Sequence, residues 1–308
     1  MPKSSSAEPQ QTLTPRQSIG WGVFWLIFSI TAFQGMIGSI KTLSPELSPY
    51  EVGFWRNALA IPMILPFVLY FCGPRIWQVQ SPKALGSRAC AEFGLSAFNF
   101  LAVTLLPLAQ TTALILTAPI WTILGAALFL RERVSKTRLI SVLLGFTGML
   151  VIVGPVFDET SLLIFLPIIA AMFWASSNII LRRVSLRDRI GHIMLWMALL
   201  QTPMFLVIAG PGWTWPSAEH WPLLIFCAAC GTLGQYGLTM AHRCSEASQL
   251  APFGYAELII AATVGAVIFS ESPPISTFIG GAIIAAAGIY MARQEHKELK
   301  RRKLETDA

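Results

Sequence analysis

Ala109–Glu132, AQTTALILTAPIWTILGAALFLRE, and Ser248–Glu271, SQLAPFGYAELIIAATVGAVIFSE, are the two stretches on which the reading of this chain turns. Each is an apolar run long enough to cross a bilayer, which takes roughly 20 residues of helix, and each closes on a glutamate. Each is followed by a short polar break and then a glycine-rich run. After Glu132 comes Leu144-Gly145-Phe146-Thr147-Gly148, and after Glu271 come Gly280-Gly281 and Ala285-Ala286-Ala287-Gly288. The glutamates are 139 residues apart, and Gly148 and Gly288 are 140 apart. Five spans fit in that interval. An odd number of spans per unit turns the second copy upside down, which puts Glu132 on the cytoplasmic side and Glu271 outside. Inverted repeats are an architecture of secondary transporters, with the substrate site near the midplane between the halves.

Working outward, the whole chain has the composition of a lipid-embedded protein. Of 308 residues, 54% are hydrophobic and 12% charged, with mean hydropathy +0.61. A soluble domain carries about twice that share of charge. The periodicity predicts an all-α membrane protein of about ten transmembrane helices, near 19–41, 51–71, 84–105, 108–130, 137–154, 161–181, 190–210, 220–241, 246–270 and 275–292. The connections are short, so neighbouring spans run antiparallel. Residues 1–18 are polar, rich in Ser, Gln and Pro, lack a signal-peptide pattern, and read as a disordered cytoplasmic tail. The first five-helix repeat is expected over 19–154 and the second over 161–292. Residues 293–308 form a basic cytoplasmic tail, either a helical extension or disordered.

The net charge is +6. Basic residues fall in clusters between apolar runs, without the aromatic interleaving of a nucleic-acid binder, so no nucleic acid is expected as a partner. With the N-terminus inside, 20 of the 22 Lys and Arg residues fall on the cytoplasmic side. Only Lys41 and Arg56 lie at outer ends of spans. That asymmetry obeys the positive-inside rule. It favours an even number of spans and predicts a multi-pass protein of the cell inner membrane with both termini cytoplasmic.

Several further stretches carry a resemblance. Pro49-Tyr50-Glu51-Val52-Gly53-Phe54-Trp55-Arg56 opens span two. Leu106-Pro107-Leu108-Ala109, Thr117-Ala118-Pro119-Ile120 and Arg131-Glu132-Arg133 lead on to Gly145 and Gly148. Ala251-Pro252-Phe253-Gly254-Tyr255-Ala256-Glu257-Leu258 lies in span nine. With these the chain resembles the drug/metabolite transporter superfamily, in its EamA-type ten-span branch. The resemblance implies secondary transport of amino acids, nucleoside-type compounds, vitamins or drugs, with export ahead of uptake. The Ala-Pro-Phe-x-Tyr stretch resembles the branch of riboflavin and S-adenosylmethionine carriers. The repeat is imperfect, since Leu258 stands where the first half has Pro119.

Polar groups inside spans mark the candidate site, because each ionisable one costs at least a few kcal/mol to insert. Glu92 shares a helical face with Arg88, Ser96 and Asn99. It reads as a proton- or cation-coupling carboxylate, or as the partner of Arg88. Glu257 has no basic neighbour in sequence. It reads as a substrate-amine or proton site, or as one half of a buried pair with Arg56. Asn178 and Gln235 add hydrogen-bonding groups, and Trp121 and Tyr255 offer faces on which a planar ligand stacks. Gly145, Gly148, Gly280, Gly281 and Gly288 read as packing positions.

Cys227-x-x-Cys230 lies within a span, without a second ligand pair or a thiolate-stabilising charge, so neither a redox nor a metal role follows. The four histidines are scattered. No phosphate-cradling loop or nucleophile motif is present. The chain therefore reads as no enzyme, with no metal and no cofactor. The expected partners are a small-molecule substrate, the lipid bilayer and protons as a candidate coupling ion, in a monomer or homodimer. The leading function is secondary active transport by alternating access, coupled to protons or to exchange. The alternatives are an uptake carrier for a riboflavin- or S-adenosylmethionine-like substrate and, from another class, a channel or scaffold.

Overall fold

Hydrocarbon offers no partner to a bare backbone N–H or C=O, so an apolar chain that crosses it folds into helix. The computed structural model describes residues 19–72, 79–129, 136–153, 161–184, 190–244, 250 and 253–306, and among these there is no strand. The helices are α1 (Ile19–Leu43), α2 (Pro49–Cys72), α3 (Pro82–Leu105), α4 (Leu108–Ile115), α5 (Ala118–Phe129), α6 (Lys136–Val153), α7 (Phe165–Val184), α8 (Ile190–Ala209), α9 (Trp221–Cys244), α10 (Ala256–Phe269) and α11 (Ile275–Thr306). Leu250, Phe253 and Gly254 are helical as well, ahead of α10.

Among the described residues, four stretches are long and apolar enough to cross a bilayer: Gly20–Leu43, Pro49–Tyr70, Gly191–Ala209 and Trp221–Ala241. Shorter apolar stretches lie in α6, α7, α10 and α11. Helix α3 matches α2 in length, at 24 residues, but carries Lys83, Arg88 and Glu92. The chain is thus a multi-pass α-helical membrane protein. Its C-terminal basic segment is helical, since α11 continues to Thr306.

Span four, expected to be continuous over 108–130, is broken. Helix α4 ends at Ile115, Leu116 and Thr117 form a turn, and α5 begins at Ala118. Pro119 has no N–H to continue the ladder and is tolerated in the first turn of a new helix. The turn is held internally, with the Thr117 hydroxyl donating to the Leu114 carbonyl at 2.6 Å. Span nine is broken too, at the turn residue Tyr255. The 139-residue offset of the repeat carries Leu116 onto Tyr255. The two interruptions are therefore repeat-related.

The helix pairing follows the same relation. Helix α1 packs on α9 as α7 packs on α3; α2 packs on α8, α6 on α11 and α4 on α10. Exchanging the two halves maps α1–α9 onto α7–α3 and leaves α2–α8 and α6–α11 in place. At the α6–α11 contact, Gly148 and Gly280 let the two backbones meet. A methyl built on Gly148 would lie 2.7 Å from the Gly280 carbonyl oxygen. The largest apolar cluster joins α1, α2, α3, α8 and α9 through Ile40, Val52, Phe100, Phe205 and Leu224. A second joins α4, α6 and α11 through Leu114, Ile152 and Ile284.

Candidate functional site

Between α1, α2, α3, α4, α7, α8, α9 and α10 lies a cavity of about 210 Å³, many times the ~10–15 Å³ that one water needs. Its walls combine apolar groups (Phe33, Ile64, Phe100, Trp174, Met197) with an uncommon number of polar ones for a lipid-embedded bundle. Arg56, Glu92, Asn99, Gln235 and Glu257, all singled out from sequence, line it. Asn57, Arg88, Thr112, Gln201 and Thr232 line it as well.

Among the described residues, Arg56 is held by hydrogen-bonding neighbours and no counter-ion. Its Nη2 donates to Asn57 Oδ1 at 2.9 Å, and its Nη1 to the Met36 sulfur at 3.2 Å. Asn57 is oriented in turn by donating its Nδ2 to the Gly53 carbonyl at 2.9 Å. The guanidinium lies 5.6 Å from the Phe100 ring centroid, in cation–π range. Gly231 makes the space: a methyl there would lie 2.9 Å from the Met36 sulfur and 3.5 Å from Arg56 Nη1. Arg56 Nε is buried without a hydrogen-bond partner.

Glu257 receives one long hydrogen bond, from Gln34 Nε2 at 3.5 Å. The pairing of Arg56 with Glu257 weighed from sequence does not form, although both side chains line one cavity. Glu92 has the company expected of it. Arg88 Nη2 stands 3.8 Å from its Oε2, an ion pair too long for a hydrogen bond, and the Ser177 hydroxyl donates to the same oxygen. Around these groups, Gln34 Oε1, Asn99 Oδ1, Gln201 Oε1, Thr232 Oγ1, Arg88 Nε and Arg88 Nη1 are buried without a partner. Most buried polar atoms in folded proteins are satisfied. A cluster of orphans around one cavity marks a surface built to meet something polar.

The two remaining aromatic candidates stand elsewhere. Trp121 and Tyr255 pack against the second apolar cluster. Trp121 Nε1 donates to Thr117 Oγ1 at 3.1 Å across the break in span four, and its ring meets Phe146 edge-on. The Tyr255 hydroxyl lies against Gly288 of α11. Phe33, Phe100 and Trp174 supply the cavity's aromatic faces instead. The side chain of Asn178 lies outside the described residues, as does Glu132.

One end of the bundle is tied shut. The Lys41 ammonium pairs with Glu271 Oε1 and donates to the Leu106 carbonyl at 2.9 Å, while Glu271 Oε2 accepts from Leu108 N–H at 2.8 Å. That carboxylate joins α1, the α3–α4 turn and the start of α11. It is placed by Ser270, whose left-handed backbone (φ 54°) closes the end of α10. At the same end Glu51 is fully buried. It accepts from Ser48 N–H at 2.8 Å, a capping box for α2, and from the backbone and hydroxyl of Thr214. Among the described residues no group of three or more His, Cys, Asp or Glu is placed to hold a metal. Cys227 and Cys230 are free thiols.

Comparison with known proteins places this geometry. The EamA-like transporter family model matches the chain twice, over residues 20–154 and 161–293. A riboflavin transporter of Vibrio cholerae is 29% identical over 91% of this chain and 95% of its own length. An S-adenosylmethionine uptake transporter of Rickettsia felis is 27% identical over 91% of this chain and 95% of its own. A solved crystal structure shares the fold with TM-score 0.62 at 16% identity, over 89% of this chain and 98% of the other. Two apolar helical repeats, paired across each other around a polar cavity and both matched by one family model, make this chain a member of the EamA-like transporter family within the drug/metabolite transporter superfamily.

Proposed function

We propose that the chain is a secondary carrier that moves a small organic metabolite of the riboflavin or S-adenosylmethionine size class by alternating access. One observation carries the reading: a single cavity holds two opposite charges, Arg56 and Glu257, that do not pair with each other. A channel or scaffold has no need to keep such groups apart inside a bundle. Burying a charge without a partner is costly. A site that is completed only when occupied turns that cost into affinity for the right ligand.

The basic clusters put the Ile19 end of α1 in the cytoplasm. The end closed by Lys41, Glu271, Glu51 and Thr214 is then the outer one, which supports an inward-facing form. Rocking of the repeats about the cavity exchanges the closed end, as in other inverted-repeat carriers. The name of the S-adenosylmethionine relative supports uptake as the direction, and a pseudopaline exporter of Pseudomonas aeruginosa, 26% identical over 88% of this chain, supports the export that the resemblance implied. Glu257 takes the coupling role: it binds the cationic part of the substrate, or a proton when the site is empty.

The test is counterflow in proteoliposomes. Vesicles preloaded with unlabelled riboflavin or S-adenosylmethionine should accumulate the labelled compound transiently above equilibrium, which a channel never does. Glu257→Gln should lower the exchange rate by roughly tenfold or more, the loss of about 1.4 kcal/mol. Equilibration without overshoot would end the carrier reading.

A further inference from the structure

The four charged side chains of the cavity are not equivalent. Arg88 and Glu92 face each other as an ion pair. Glu257 has a way out of its isolation, since a buried carboxyl relieves the cost by taking up a proton. Arg56 has none. A guanidinium keeps its charge under all ordinary conditions, and no carboxylate among the described residues lies within ion-pair distance of it. Its surroundings make a cradle without an anion. An amide oxygen, a thioether, the Phe100 ring and the bare backbone of Gly231 hold the group in place, and Nε is left buried and unpartnered. Such neighbours fix a guanidinium's position without neutralising it.

Arginine is suited to what is missing. Its planar fork binds a carboxylate with two parallel hydrogen bonds, and such charge-assisted bonds are about twice as strong as neutral ones. A guest that answers both unpaired groups brings an anionic group for Arg56 and a cationic one for Glu257. Resting on the carrier reading above, we propose that Arg56 is a carboxylate subsite and that the transported compound carries a zwitterionic, amino-acid-type end. Riboflavin, which has neither charge, does not fit that description.

The experiment compares ligands that differ in one group, using the purified full-length protein in nanodiscs. Dissociation constants are measured for S-adenosylmethionine, for its decarboxylated analogue (which keeps the amine and the sulfonium) and for riboflavin, on the wild type and on Arg56→Gln. The wild type should bind S-adenosylmethionine roughly tenfold or more tighter than the decarboxylated analogue, and riboflavin weakest. In Arg56→Gln that preference should vanish, with both adenosyl compounds at the affinity of the decarboxylated one. Arg56→Lys should restore part of it, because a point charge replaces the fork. The comparison of ligands on the wild type stands even where the variants fold poorly. Equal binding of the two adenosyl compounds, a preference that survives Arg56→Gln, or riboflavin as the tightest ligand would overturn the carboxylate subsite while leaving the carrier reading in place. If none of the three binds, and none is exchanged in the counterflow assay, both fall together.

Discussion

Trp174 and Trp121 are both indoles in apolar helices, and only the first lines the cavity. Trp174→Ala should therefore weaken ligand binding by roughly three- to tenfold, the worth of an aromatic contact of about 0.5–1.5 kcal/mol. Trp121→Phe should leave the dissociation constant unchanged in the same titration. The charged members of the site were legible in the sequence, because an ionisable residue within an apolar run has few explanations. Asn57, Gln201 and Thr232 carry the same signal more faintly, and a reading confined to charges and to the most central amides passes over them. Aromatic residues carry no such signal in lipid. A helix that is apolar all round does not say which side faces the cavity, so the sequence points to Trp121 and Tyr255 and passes over Trp174, and the packing reverses that choice.

At the scale of the helix, the α6–α11 contact sets the clearest expectation. Gly148→Ala puts a methyl onto the Gly280 carbonyl and against Ile284. Neither backbone can move aside cheaply, and overpacking of this kind costs about 1–3 kcal/mol. The melting temperature in detergent should fall by several degrees, while Gly86→Ala, which meets nothing within 4 Å, should leave it unchanged. The helices themselves were legible from their apolar runs. The breaks were not, because a proline within a span also fits a bent but continuous helix. The difference at Leu116–Thr117 lies in hydrogen bonds made within the turn. The second break could have been anticipated from the first, since the 139-residue offset between Glu132 and Glu271 takes one onto the other.

For the whole molecule, the tie between Lys41 and Glu271 is where the balance between inward- and outward-facing forms should be adjustable. Both side chains are largely buried, at 16% and 12% exposed. Removing both partners together, in Lys41→Met with Glu271→Gln, avoids leaving one charge stranded. If the tie favours the closed outer end by about 1 kcal/mol, its loss shifts the population roughly fivefold. In a background freed of native cysteines, a cysteine in place of the cavity-lining Val103 should then react faster with an impermeant maleimide added from outside. An unchanged rate would mean that the Glu51–Thr214 clasp closes that end alone.

The pairing of helices across the repeats also bears on how the protein is made. Among the described residues, every extensive helix contact joins one half to the other: α1 with α9, α2 with α8, α3 with α7 and α6 with α11. Some 180 residues separate the end of α1 from the start of α9. At a synthesis rate of about 5–20 residues per second, α1 waits roughly 10–40 s in the membrane before its partner emerges. The first half is thus a set of unmatched surfaces until the second arrives. Neither half should assemble alone, and the two halves expressed as separate chains should rescue each other. The polar groups of α3 are the ones that most need shielding during the wait.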